Sequence, residues 1–350
     1  MSAARPPEGA QTRSAQREGA PVNARAEWLR RVRRNSGPLG ALAVFVLMFS
    51  LYLAQHPRSI SVGIVTTASN KAVLLAIVAM AQTLPVVTRG LDLSVGMVMV
   101  LTGCLASIVV NGAPWQVALG VVLVLATGAA AGALNGAIVV FGRLQPIIVT
   151  LATGAVFFGL ALLLRPSPGG EVSEGLADAL TGRLFGVIPT TLVLLAAVIV
   201  LGWMPLRRTV IGRACYAVGS SEQAAFLSGV PSQRAQFLAY TVAGLLSGLA
   251  GLLLAFISLS GEASAPQAGL YTLNSIAAVV IGGTSLYGGT GGMVGSVLGA
   301  FVLRTIGDLL FVFDAPALWQ PLFEGLILLA AVCIGALHVL RLRNRLDQFG

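Results

Sequence analysis

The chain alternates between ten apolar runs and short polar intervals, and this pattern constrains the fold more than any other feature. The runs lie at about 39–54, 72–87, 93–111, 115–140, 147–164, 187–204, 237–259, 273–287, 293–312 and 318–340. A membrane-spanning helix needs about 20 mainly apolar residues. Charged residues make up only 10% of the chain, whereas about 25% is usual in soluble domains. The pattern predicts an all-α polytopic membrane protein with about ten transmembrane helices in a lipid bilayer.

Three runs, 72–87, 93–111 and 273–287, are short for a hydrocarbon layer about 30 Å thick. Broken or re-entrant helices are therefore an alternative to straight spans at these places. The predicted organisation has four parts. They are a disordered cytosolic tail at 1–38, a transmembrane domain at 39–340, a cytosolic loop within it at 205–236, and a basic cytosolic tail at 341–350.

The basic residues are unevenly distributed between the two sets of alternate loops. Of the 22 lysines and arginines, only Arg58, Lys71, Arg165 and Arg183 fall in the set that excludes the two tails. Short loops rich in Lys and Arg stay in the cytosol, so both termini are predicted to be cytosolic. The formal net charge of +9 follows this membrane pattern, and nucleic acid is not expected as a partner.

The longest predicted outer loop covers 165–186. Its two prolines and five glycines favour irregular structure, with at most a short surface helix near 175–180.

A polar break separates the second and third runs. Gly90, Asp92, Ser94 and Gly96 lie within it. The Asp92 carboxylate is suited to cap the amides that open the next helix, aided by Ser94. Two interpretations stay open, a cytosolic turn with a helix cap or a helix break that lines a transport path.

Glycines recur at every fourth residue in several runs, which allows close helix packing. They are Gly128, Gly132 and Gly136, then Gly244 and Gly248, and then Gly291, Gly295 and Gly299. The glycine-rich stretch 281–292 lacks the lysine of an ATP-binding P-loop, and no such motif occurs elsewhere in the sequence. We expect a flexible turn there and no ATPase site in this chain.

Three charged residues fall in apolar surroundings and need partners. Arg304 and Asp308 are four residues apart, so they can pair on one helix face, whereas the sequence shows no partner for Glu324. The three cysteines are widely spaced and predict neither a metal site nor a disulfide. No catalytic motif of a metalloprotease or serine hydrolase occurs, so no catalytic residue is predicted.

The interval 207–234 is the long basic and polar stretch between the sixth and seventh runs. A short helix is predicted at 221–227, with a cap at Ser220 or Ser221 and a stop at Gly229 and Pro231. Ala224 and Ala225 are expected to present a small face that fits a groove on a partner. An ordinary surface helix is the alternative.

Four blocks resemble the permease family of sugar-type ATP-binding cassette (ABC) importers, which includes the ribose and xylose permeases. They are GLDLSVG at 90–96, PIIVTLATG at 146–154, GRACYAVGSSEQAAFLSGV at 212–230 and IAAVVIGGTSLYGGTGG at 276–292. The resemblance implies a ten-helix inner-membrane subunit with inverted-repeat character that forms a homodimer or a heterodimer with a related permease. It also implies an extracytoplasmic solute-binding protein and a separate cytosolic ATPase that holds ATP and Mg. The coupling helix of the family corresponds to Glu222, Ala224, Ala225, Phe226 and Gly229.

The sequence departs from the family pattern at three places, which bears on the substrate. Asn274 stands where relatives usually have an acidic residue, and Phe158 stands where they often have an arginine. Gly307 and Asp308 replace an asparagine-rich stretch.

The predicted function is therefore that of a permease subunit for a monosaccharide or similar polyhydroxylated solute. Its predicted path residues are uncharged and polar: Gln82, Thr83, Asn135, Thr150, Thr153, Asn274 and Thr284. One alternative is a permease of the same architecture for branched amino acids, nucleosides or a furanose signal. Another is an ion-coupled secondary transporter that uses Arg304, Asp308 and Glu324.

Overall fold

The chain is almost entirely helical in the part that the computed structural model describes, which comprises residues 36–55, 61–327, 329–330 and 333. The α-helices are α1 (Ser36–Gln55), α2 (Val62–Val87), α3 (Val95–Val109), α4 (Pro114–Val140), α5 (Pro146–Leu164), α6 (Glu174–Thr181), α7 (Thr190–Arg208), α8 (Val210–Ser220), α9 (Glu222–Leu227), α10 (Ser232–Ser258), α11 (Ala265–Ile281) and α12 (Met293–Val312). A π-helical turn at Val198–Trp203 interrupts α7. Residues 320–327 are again helical.

Within the described ranges, seven helices are long and apolar enough to cross a bilayer: α1, α2, α4, α5, α7, α10 and α12. Two shorter apolar helices, α3 and α11, have 15 and 17 residues. These helices confirm a polytopic helical membrane protein. The predicted tails at 1–38 and 341–350 lie outside the described residues, apart from the start of α1, as does most of the tenth apolar run beyond residue 327.

Helix α2 lies at the centre of the bundle. Every side chain from 73 to 81 is buried, and α2 packs against α10, α11 and α12. A helix that is apolar on all sides is enclosed either by other helices or by lipid, and α2 is enclosed by other helices. By contrast α1 exposes most of its apolar side chains, as a lipid-facing helix would.

The sequence-based prediction that the second run is short is wrong, because α2 begins at Val62 rather than near residue 72. The hydroxyl of Ser61 accepts a hydrogen bond from the Ile64 amide at 3.3 Å and caps the helix. Asn70 donates to the Thr181 carbonyl at 2.8 Å and accepts from the Thr191 hydroxyl at 2.8 Å. These tertiary hydrogen bonds stabilise polar residues within α2. The hydropathy pattern had placed the same residues outside the second apolar run.

Glycines bring α4 and α10 into backbone contact. A Cβ atom at Gly128 would lie 2.5 Å from the Gly244 carbonyl oxygen, and one at Gly132 would lie 2.9 Å from the Gly244 Cα. The predicted glycine-mediated packing is confirmed for these helices. Gly291 is an exception, because it lies in a turn before α12 rather than on that helix.

The loop after α5 contains the short helix predicted near 175–180, here α6. An antiparallel pair of two-residue strands follows, β1 (Arg183–Leu184) and β2 (Ile188–Pro189). The sequence pattern did not predict this pair. A further antiparallel bridge joins Gly169 to Gly261, so the loop is fastened to the segment after α10.

Candidate functional site

The interval 207–234 is mostly helical rather than an open loop. Thr209 caps α8 by accepting from the Gly212 amide at 3.0 Å. Ala214, Cys215 and Val218 are buried on one side of α8. The interval was expected to be a loop because it contains several arginines and small residues. Its narrow apolar face is therefore not recognisable in the hydropathy pattern.

Helix α9 is the predicted short helix, and its boundaries are confirmed. Ser221 accepts a hydrogen bond from the Ala224 amide at 3.3 Å, which makes it the N-cap. Glu222 lies in the first turn, where the helix dipole stabilises a negative charge. The chain leaves the helix through Gly229, whose φ of +72° suits glycine. The role of this helix stays a prediction.

The outward face of α9 differs from the expected one. Ala224 is exposed, but Ala225 is only 5% exposed and packs into the chain's own core. The expectation that Ala225 faces a partner is wrong. Successive residues of a helix point in different directions, so Ala224 faces outward while Ala225 faces the bundle. Phe226 and Leu227 are instead 75% and 85% exposed.

A cleft of about 710 Å³ opens beside α9. Val140 and Arg143 at the end of α4 form one side, and Glu222 and Phe226 form another. The start of α10, including Arg234, completes it. An apolar anchor, two arginines and a carboxylate in one recess are typical of a protein docking surface.

The polar break between α2 and α3 is the centre of a buried hydrogen-bond network. The Asp92 carboxylate accepts from the Ser94 amide at 2.9 Å and from the Ser94 hydroxyl at 2.6 Å. Asn135 on α4 donates to the Ser94 hydroxyl at 2.8 Å, and Thr153 on α5 donates to the Asn135 carbonyl at 2.6 Å. Burial raises the pKa of Asp92, whereas the hydrogen bonds from Ser94 and Asn135 lower it.

The expectation that Asp92 caps the opening amides of α3 is wrong, because its carboxylate accepts from the amide of Ser94, which precedes the helix, and Ser94 makes no side-chain cap bond. Thr150 on α5 holds the neighbouring backbone by accepting from the Leu93 amide at 3.0 Å. Gly96 donates its amide to Thr272 on α11 at 3.1 Å. Gly90 lies against the Tyr240 hydroxyl, which a Cβ atom at this position would overlap. The break thus connects α4, α5, α10 and α11.

The seven predicted path residues do not form one hydrogen-bonded cluster. Asn135, Thr150 and Thr153 belong to the network around Asp92. Thr83 on α2 donates to Ser296 on α12 at 2.7 Å. Thr284 accepts from the Gly292 amide at 3.1 Å and closes the glycine-rich turn.

Gln82 is fully buried, and neither of its side-chain amide atoms has a hydrogen-bond partner among the described residues. Buried amides nearly always have partners in native proteins. Gln82 therefore differs from the other predicted path residues, which all make side-chain hydrogen bonds.

Asn274 makes a contact that the sequence did not reveal. Its side-chain amide donates to Glu324 at 2.8 Å, and Gln320 donates to the other Glu324 oxygen at 2.7 Å. Among the described residues, Glu324 therefore has two amide partners and no cationic one. Arg304 and Asp308 form the predicted ion pair at 3.3 Å.

Within the described ranges, no group of three His, Cys, Asp or Glu side chains is placed to hold a metal ion. The chemistry of the buried polar residues is that of hydrogen bonding. Such groups can bind and release a polar solute.

Comparisons with known proteins agree with this description. Residues 64–332 match the family model described as the branched-chain amino acid transport system, permease component. The ribose import permease protein of Bacillus subtilis is 33% identical, with 87% of this chain and 93% of that protein covered. The autoinducer 2 import system permease protein of Enterobacter sp. is 34% identical, with 89% and 88% covered. The ribose import permease protein of Escherichia coli K12 is 33% identical, with 84% and 92% covered. No solved structure matches the chain.

Proposed function

The chain belongs to the family of branched-chain amino acid transport system permease components, which are membrane subunits of ABC importers, and we propose that it translocates a monosaccharide or similar small polyhydroxylated solute. The proposed substrate class rests on the similarity to ribose and autoinducer 2 permeases, which extends over most of the chain. ATP and Mg are assigned to a separate ATPase subunit. The protein resides in the bacterial inner membrane.

The buried polar side chains support a neutral solute. The Gln82 amide has no hydrogen-bond partner among the described residues, and Asn135 and Thr153 are uncharged. A zwitterionic amino acid would need charged side chains or helix ends opposite its ammonium and carboxylate groups. The buried Asp92 carboxylate is occupied by Ser94, so it does not provide such a partner. These features favour hydroxyl groups over an amino acid as ligand.

The proposed topology has ten spans, inverted-repeat character and both termini in the cytosol. Seven long apolar helices, the shorter α3 and α11 and the helical segment after residue 320 support this number. The tails at 1–38 and 341–350 and the interval 205–236 are then cytosolic. A dimer of this chain, or a heterodimer with a related permease, would enclose the path.

Helix α9 is proposed as the coupling helix that docks the ATPase. Glu222, Ala224, Phe226 and Gly229 are exposed at its surface, and the cleft beside it offers a recess for a partner. Ala225 contributes by packing α9 onto the bundle. On the opposite side of the membrane, an extracytoplasmic binding protein would deliver the solute.

Reconstitution in vesicles tests this function. The permease is combined with a candidate ABC ATPase and a solute-binding protein, and uptake of labelled ribose is compared with that of leucine. Ribose uptake that requires ATP supports the proposal, whereas leucine uptake alone would reassign the substrate. Uptake by the chain without an ATPase under an ion gradient would instead indicate a secondary transporter.

The docking surface is tested separately with Phe226→Asp and Ala224→Arg. Both are expected to abolish co-purification of the ATPase while membrane insertion persists. Phe185→Asp is the matched control, because Phe185 is 87% exposed in the loop between β1 and β2. Normal ATPase binding by both α9 variants would show that α9 is not the dock.

A further inference from the structure

Arg89 joins three segments that are far apart in the sequence. It lies between the end of α2 and the polar break, with φ of +66°. Its Nε donates to the Tyr287 carbonyl in the glycine-rich turn at 3.0 Å. Its Nη2 donates to the Ser220 carbonyl at the end of α8 at 3.3 Å. One guanidinium therefore holds both segments against α2.

The junction around Arg89 has little free space. Gly289 donates its amide to the Val87 carbonyl at 3.0 Å, and Tyr216 on α8 donates its hydroxyl to the Gly291 carbonyl at 3.0 Å. A Cβ atom at Gly219 would overlap both Val87 and Gly289. The three backbones thus meet directly, and a displacement of one segment must displace the others.

The two ends of this junction lead to the two parts of the candidate site. Ser220 immediately precedes Ser221, which caps α9. Asp92, the centre of the buried network, is three residues after Arg89. The Arg89 guanidinium also lies at the carbonyl end of α8, where a positive charge is favourable. Hydrogen bonds from a charged donor are stronger than neutral ones.

We propose that Arg89 is the positioning residue that transmits movement of α9 to the polar break at 90–94. This inference rests on the proposed role of α9 as the ATPase dock. If Ser220 moves with α9, the Arg89 guanidinium moves with the Ser220 carbonyl. The backbone from Arg89 to Asp92 is then displaced as well. The glycine-rich turn acts as the fixed support on the other side of the guanidinium, rather than as the flexible turn that its composition predicted.

Arg89→Ala and Arg89→Lys test this role in the assembled transporter. Both variants keep a non-glycine residue at this position. The conformational cost of the positive φ is therefore similar in each variant and in the unaltered protein. Arg89→Ala removes both donors, and Arg89→Lys keeps the charge without the two-pronged geometry. Arg208→Ala is the matched control, because Arg208 is an exposed arginine at the end of α7.

The expected result is normal ATPase co-purification with solute uptake per ATP hydrolysed reduced about tenfold in Arg89→Ala, a size typical of coupling between sites. Arg89→Lys should fall between that variant and the unaltered protein, and Arg208→Ala should match the latter. Hydrogen exchange at the Gly289 amide should be faster in Arg89→Ala. Should Arg89→Ala not accumulate, the same comparison is made with Arg89→Lys.

Unchanged uptake per ATP in Arg89→Ala would overturn the proposal, even if hydrogen exchange were faster. Loss of ATPase binding in the Arg89 variants alone would also overturn it, because Arg89 would then serve docking. If the unaltered chain binds no ATPase, the proposed role of α9 fails, and the transmission role fails with it. Hydrogen exchange at Gly289 would still show whether Arg89 ties the junction.

Discussion

The side-chain amide of Asn135 donates a hydrogen bond to the Ser94 hydroxyl at 2.8 Å and joins α4 to the polar break. Its carbonyl oxygen accepts from Thr153 at 2.6 Å, so one asparagine connects three elements. Asn135 itself is fully buried. Neutral groups around a single carboxylate thus join the break to α4 and α5.

Asn135→Leu should destabilise the protein, because it removes both hydrogen bonds and leaves the buried Ser94 hydroxyl and the half-buried Thr153 hydroxyl with fewer partners. Interhelical hydrogen bonds in membrane proteins contribute about 0.6 to 2 kcal/mol each. We expect a loss of roughly 1–3 kcal/mol in the free energy of unfolding, measured as a lower melting temperature in detergent. Thr127→Val is the control, because that exposed hydroxyl bonds only to Leu123 within α4. Equal melting of both variants would show that the network does not stabilise the break.

Gly132→Ala should separate α4 from α10. The added Cβ would lie 2.9 Å from the Gly244 Cα, and overpacking of this kind costs about 1–3 kcal/mol. We expect less folded protein in the membrane, measured by size-exclusion chromatography of the extracted protein. Gly159→Ala on α5 should have no such effect, since nothing lies within 4 Å of a Cβ there. Comparable yields for both variants would contradict the proposed packing.

Local sequence signals predicted the elements that local chemistry determines. The ninth run, 293–312, coincides with α12 because Gly292 precedes it and the apolar residues continue to Val312. Helix α9 was predicted because a serine cap and a glycine stop lie eight or nine residues apart. The pairing of Arg304 with Asp308 follows from their spacing of one helical turn.

Contacts between distant segments could not be predicted in this way. Arg89 is 131 residues from Ser220 and 198 from Tyr287, and nothing in the local pattern relates them. The start of α2 was missed because Asn70 is polar, and its partner Thr181 is 111 residues away. Burial of Ala225 depends on which side of α9 packs against the bundle. The spacing of apolar residues does not reveal that side in a helix of six residues.

Cys215 should resist modification by maleimide in the folded protein. The thiol is buried on α8 and donates to the Ala235 carbonyl at 3.6 Å. Burial raises its pKa to about 11, so the thiolate population at pH 8 is about 0.1%, against roughly 25% for an ordinary thiol of pKa about 8.5. Because the folded-state pKa is the higher one, stability falls as pH rises above the ordinary thiol pKa. Labelling is followed by mass spectrometry with and without denaturant, and fast labelling of the native protein would contradict this burial.

Asn274 and Glu324 should tolerate a double substitution better than a single one. In Asn274→Asp the two carboxylates would replace an amide–carboxylate hydrogen bond of 2.8 Å, and like charges at this separation disfavour ionisation of both. We expect lower thermal stability in N274D and recovery of most of it in N274D/E324Q, which restores an amide opposite a carboxylate. Asn111→Asp is the matched control, because Asn111 faces Glu171 at 3.4 Å in an exposed pair, where solvent screens the repulsion. If N274D/E324Q is no more stable than N274D, the contact between α11 and the segment after residue 320 is not maintained by this pair.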